Sequence, residues 1–195
     1  MYCTALTPEA IEQLPAAVFK GEIIEVTTPQ QVEEAISQLY REKLLGFDTE
    51  TRPCFTAHQS ERHKTALLQL ASSDKSFLFR LPYCGITPNL AALLSNPKIT
   101  KVGAAVRDDI RGLQAHRIFS AAGFVDLQSM MESRGIQERS LRKMAAIVLN
   151  LKLSKGQQLS NWENLEFTPA QLHYAALDAW ICREIYLALK GAPAL

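Results

Sequence analysis

The stretch Leu44-Leu45-Gly46-Phe47-Asp48-Thr49-Glu50 is a short apolar run that ends in two acids one residue apart. In an extended strand alternate side chains point to the same face, so Asp48 and Glu50 are expected to project together from its end. Two carboxylates ~4 Å apart repel by roughly 4 kcal/mol at an effective dielectric near 20. Such a pair at the edge of a core suits a bound cation. A strand leaving the core into a polar turn gives the same D-x-E pattern, so the pair decides nothing alone.

Outward from this strand, four Thr-Pro dipeptides punctuate the chain at Thr7, Thr28, Thr87 and Thr168. Threonine caps helix N-termini, and proline fits the first helical position, where its missing N–H is no loss. Each pair precedes apolar residues at helical spacing, which predicts helices from Thr7 to Leu14, after Thr28, after Thr87, and from Thr168 to Gly191. Strand-like runs lie between them: Glu22–Val26, the acidic strand, Thr65–Ala71, Phe77–Leu81, Ile99–Gly103 and Gly123–Asp126. Ser72-Ser73-Asp74 marks a turn and hence an antiparallel pair. Strand–helix–strand order after residue 99 implies parallel pairing. The expected fold is α/β: a mixed sheet of three antiparallel strands followed by two parallel strands, with helices on both faces.

The 195 residues suit a single domain, with a core of about 22–190 and an N-terminal extension, 1–21, carrying a short helix. A net charge of +1 announces no polyanionic partner through a global field. Cys3, Cys54, Cys84 and Cys182 show no zinc or disulfide spacing, which points to free thiols in a reducing compartment. There is neither a signal peptide nor an apolar run of the ~18 residues that a membrane span needs. A cytoplasmic protein with no membrane contact is the expectation.

A second acidic site lies in Gly103-Ala104-Ala105-Val106-Arg107-Asp108-Asp109-Ile110-Arg111-Gly112-Leu113. On a helix Asp109 shares the apolar face of Val106 and Leu113, whereas Asp108 points roughly 100° away. An acid on that stripe needs a partner, because burying it alone is costly. A third site is Tyr174-Ala175-Ala176-Leu177-Asp178, whose tyrosine and aspartate stack on one helix face. A buried tyrosine bonded to an aspartate explains that pair equally well. Taken together, Asp48, Glu50, Asp109 and Asp178 each have reason to face one sheet. Four converging acids call for hard divalent cations, Mg²⁺ or Mn²⁺. Two ions ~3.5–4 Å apart would suit phosphodiester chemistry.

With GFDTE, the Gly103 to Leu113 segment and Y-A-A-L-D in that order, the chain resembles a ribonuclease D-type 3′–5′ exonuclease domain of the DEDD superfamily, with its ribonuclease H-like fold. It is also similar to the Werner-type exonuclease domain. The supporting segments are Ala66–Ala71 and Leu159-Ser160-Asn161-Trp162. The resemblance implies that Asp48 bridges two metal ions and that Glu50 and Asp178 complete the nucleophile-side ion. It further implies that Asp109 holds the second ion through water and that Tyr174 orients the attacking water. The implied reaction removes nucleoside 5′-monophosphates from a single-stranded 3′ end of DNA or RNA. A histidine branch of the superfamily would use His173, but the surrounding motif selects Tyr174.

Thr49, Arg52, Lys64 and Lys155 are the expected substrate contacts. From Arg134 to Lys155 the chain carries a local excess of five positive charges that could track a phosphate backbone. Phe55 is a candidate for stacking on bases, and Trp162 is expected in the core. His58, His63 and His116 lack zinc spacing. Two other classes compete: a silent nucleic-acid-binding module and a small-molecule metal hydrolase. No sequence feature sets an oligomeric state.

Overall fold

The computed structural model describes residues 2–53, 64–154 and 156–191. The elements run α1 (Pro8–Glu12), β1 (Glu22–Val26), α2 (Pro29–Leu39), β2 (Leu44–Thr51), β3 (Thr65–Ala71), β4 (Lys75–Arg80), α3 (Leu81–Cys84), α4 (Pro88–Leu94), β5 (Thr100–Gly103), α5 (Val106–Gln114), β6 (Phe124–Asp126), α6 (Leu127–Glu132), α7 (Leu141–Leu149) and α8 (Pro169–Gly191). Every Thr-Pro pair opens a helix, each threonine hydroxyl accepting a backbone N–H of the first turn. At Thr28 and Thr168 the bond is reciprocated, since Gln31 and Gln171 reach back to the threonine N–H. Several element ends differ from expectation by a residue or two, and β4 differs at both of its own. β4 begins at Lys75 rather than Phe77, and Leu81 leaves it to start α3, because Pro82 suits a helix N-terminus and not a ladder.

The six strands lie in the order β1-β4-β3-β2-β5-β6. β2, β3 and β4 are antiparallel, and β5 and β6 follow parallel to β2. β1, which the expected formula left out of its strand count, adds to the far edge, parallel to β4. On one face Leu45, Phe47, Leu68, Leu70, Phe77 and Phe79 bury against α2, α4 and α5. The other face carries α6, α7 and α8. Residues near the N-terminus lap across this side: Ala17 N–H donates to the Lys152 carbonyl, and Phe19 packs on Trp180.

Two glycines set how closely the layers approach. A Cβ on Gly46 would sit 1.8 Å from the Ala179 carbonyl oxygen of α8, and one on Gly103 would sit 2.7 Å from the Phe47 carbonyl oxygen. α8 therefore presses directly on β2. Gly46→Ala should cost about 3 kcal/mol by overpacking and lower the melting temperature ~6–12 °C, which a thermal melt would read. A melting temperature within ~2 °C of the parent would show that α8 gives way freely.

Candidate active site

β5 pairs with β2 only as far as Gly46, so β2 runs on past its parallel neighbour. On the other side Asp48 stays opposite Gln69, and Glu50 opposite Leu67. After β5 the bend at Ala104 and Ala105 leads into α5, whose Asp109 meets Thr49 near the end of β2. Alternation along β2 turns Gly46, Asp48 and Glu50 toward α8, and Phe47 and Thr49 toward α5. The strand thus serves two faces. Asp48 and Glu50 meet Asp178 of α8, and carboxylate oxygens of these three lie within 4.8 Å of one another.

Asp109 is not part of that triple. Its carboxylate accepts a 2.5 Å hydrogen bond from the Thr49 hydroxyl, on the α5 face of the same strand. Asp108 is exposed and pairs with Arg111, as helical geometry required. The N–H of Ala105, a left-handed residue at φ 59°, donates to Asp126 just before α5. The same Asp126 oxygen accepts the Gln128 N–H at the start of α6.

The electrostatics follow from crowding. Burial, then Asp178, Glu50 and Asp109, hold the Asp48 carboxyl well above the usual range. Burial followed by Asp178 and Asp109 raises Glu50. Asp178 is raised by burial, against the opposing hydrogen bond from Tyr174. Burial lifts Asp109 to about 6 while the Thr49 bond pulls the other way. The Tyr174 phenol is pushed far up by burial and then by the carboxylates of Asp178 and Glu50. His173 is exposed.

This donor set fits divalent cations. Three hard oxygen ligands converge where Asp178 and Glu50 push the Asp48 carboxyl up and Asp178 pushes up Glu50, a repulsion that a cation would relieve.

A model of the 3′–5′ exonuclease family matches residues 23–192. The chain belongs to that family. Among the curated relatives of this chain is Drosophila melanogaster Exonuclease 3′-5′ domain-containing protein 2, 35% identical over 148 residues, covering 74% of this chain and 25% of the relative. The chain thus spans about a quarter of that protein's length. The Aedes aegypti Nibbler EXO domain superposes with a TM-score of 0.78 at 24% identity, covering 90% of this chain and 92% of that one. Trypanosoma brucei RNase D in complex with RNA U12 gives 0.76 at 22% identity, covering 94% and 65%. The mixed sheet flanked by helices is the ribonuclease H-like fold of these exonucleases.

The other expected contacts divide. Lys64 is exposed on the wall of a cavity of about 710 Å³ that it shares with Thr49, Thr51, Asp108 and Asp109. Arg52 is ion-paired with Glu163 at 3.2 Å. Lys155, Phe55, His58 and His63 lie outside the described residues. His116 bonds to the Thr65 carbonyl. Trp162 is fully buried, as expected, and its ring lies 6.1 Å from that of Tyr174.

The basic segment is less open than its composition suggested. Arg134 donates to the Leu189 carbonyl, and Lys143 pairs with Glu138. Arg142 and Lys152 both engage Glu12, an acid more than a hundred residues away. Sequence reasoning also missed Arg80, buried at 2% exposure in β4. The signal was available: an arginine inside the apolar run Phe77-Leu78-Phe79-Arg80-Leu81 must find partners.

Proposed function

We propose that this chain hydrolyses the 3′-terminal phosphodiester bond of a single nucleic-acid strand and releases nucleoside 5′-monophosphates. The observation that carries the reading is the Asp48–Glu50–Asp178 triple, built at the end of a central strand in a chain of the 3′–5′ exonuclease family. Asp48, Glu50 and Asp178 would hold divalent ions, Mg²⁺ or Mn²⁺, with Asp109 holding a second ion through water. When bound, such ions polarise the phosphoryl group and lower the pKa of a water molecule.

The chain's own residues do the rest. Tyr174 stays protonated at neutral pH, so it donates a hydrogen bond and orients a nucleophile rather than removing its proton. Thr49 fixes Asp109 against β2. Lys64 and Thr49 line the cavity beside Asp109, where phosphates of the departing strand would be neutralised. Support for a nucleic-acid substrate comes from the RNA present in the Trypanosoma brucei RNase D complex. Free Cys3, Cys84 and Cys182 support a reducing, cytoplasmic setting, and no helix among the described residues is long and apolar enough to cross a membrane.

The deciding experiment incubates the protein with 3′-labelled single-stranded DNA, RNA and duplexes in Mn²⁺, Mg²⁺ or chelator. Metal-dependent release of labelled mononucleotides is expected. Binding without release in either metal would replace the reading with a silent binding module, and turnover of p-nitrophenyl phosphate alone with a small-molecule hydrolase.

A further inference from the structure

Arg80 stands at the end of β4, opposite Leu67, on the sheet face that α8 covers. Its guanidinium forms an ion pair with Glu25 at 3.1 Å, donates to the Leu165 carbonyl at 3.1 Å, and also donates to the Asn164 carbonyl. It stacks 3.8 Å from the centroid of the Phe167 ring and 5.0 Å from that of Tyr83. A buried cation with this many partners is fixed, and a planar fork is needed to serve two carbonyls and a ring together.

The grip falls on one segment. Phe167 meets Trp162 edge-on at 5.4 Å, and Trp162 lies against Tyr174 at 6.1 Å, tilted by 33°. The buried indole N–H of Trp162 has no hydrogen-bond partner among the described residues. Packing and the anchorage of its backbone therefore set the angle of that ring. Arg80 supplies the anchorage two and three residues beyond Trp162, and Phe167 leads straight into the Thr168 cap of the helix that bears Tyr174.

We infer that Arg80 is a positioning residue of the exonuclease reaction, clamping the segment 162–167 so that Trp162 holds the Tyr174 phenol against Asp178. The inference rests on the proposed nuclease function. It acts through Tyr174 and so makes a claim that a merely stabilising arginine would not.

A double-mutant cycle tests it on a 3′-labelled single-stranded oligonucleotide. With Tyr174 present, Arg80→Met should lower kcat about tenfold and change KM less than about twofold. On the Tyr174→Phe background the same substitution should change kcat less than about twofold. Equal losses on both backgrounds, or no loss on either, would overturn the inference. Should Arg80→Met fail to fold, Phe167→Leu removes the ring between guanidinium and indole, and the same cycle decides. A second readout needs no turnover. In Trp180→Phe protein, Trp162 emission should move to the red and become accessible to acrylamide on Arg80→Met or Phe167→Leu. An unmoved spectrum in both would overturn the inference. A parent that binds but never cleaves would instead sink the nuclease reading, and the fluorescence would still report on the clamp.

Discussion

Asp48→Asn is expected to reduce nucleotide release by about 1000-fold or more, and to make the metal-free protein melt higher than its parent. The two effects share a cause. Asp48 is the acid most pressed upon, by burial and by Asp178, Glu50 and Asp109. An amide of the same shape puts a neutral group where burial and three neighbouring acids oppose an ionised one, which should raise the melting temperature ~2–4 °C at pH 8 in chelator. The same charge is what a divalent ion would need, so activity falls as stability rises. A discontinuous nuclease assay and a melt in chelator check the two halves. Activity within tenfold of the parent would sink the assignment of Asp48.

Metal binding should show a steep pH dependence in stability. Glu50 is raised from 4.5 to about 8, Asp178 from 3.8 to about 7, and Asp109 from 3.8 to about 6. Between the unfolded and the folded values the native state binds more protons than the unfolded one. Stability contributed by these acids is thus present in full below about pH 4 and is lost as pH rises toward about 8. Each pKa unit is worth ~1.4 kcal/mol, but the acids share one site, so a loss on the order of 3 kcal/mol is expected for the cluster. Manganese at pH 8 should restore it, raising the melting temperature ~6–12 °C, and should do far less at pH 5, where protons already hold the site. Lys101, lowered to about 8 by burial, slopes the other way above that pH. The metal-induced difference at each pH is therefore the quantity to measure. Equal shifts at pH 5 and pH 8 would show that the acids do not compete with protons for the ion.

Much of this architecture could be read from residue order. Thr-Pro pairs carry their own mechanism, because a cap and a ring-locked first residue act locally. The D-x-E pair was legible because strand alternation is fixed by covalent geometry, and Asp109 was separable from Asp108 because helix rotation is. Long-range pairing was not legible. Nothing in Glu22–Val26 says that β1 lies beside β4. Nothing near Arg142 and Lys152 says that Glu12 neutralises them. Thr49 was expected to touch substrate, and the strand alone gave no sign that its hydroxyl also donates to Asp109. Whether a polar side chain meets ligand or protein depends on what folds against it, and that is a tertiary fact.

A fifth carboxylate stands near the four. Asp126 accepts the N–H of Ala105 and of Gln128, and so joins the beginnings of α5 and α6 to a single oxygen. The direction from which Asp109 approaches is thereby governed by an acid that belongs to no motif. Anyone grafting this chemistry onto a different scaffold by copying the motif acids alone would leave the hinge-pin behind.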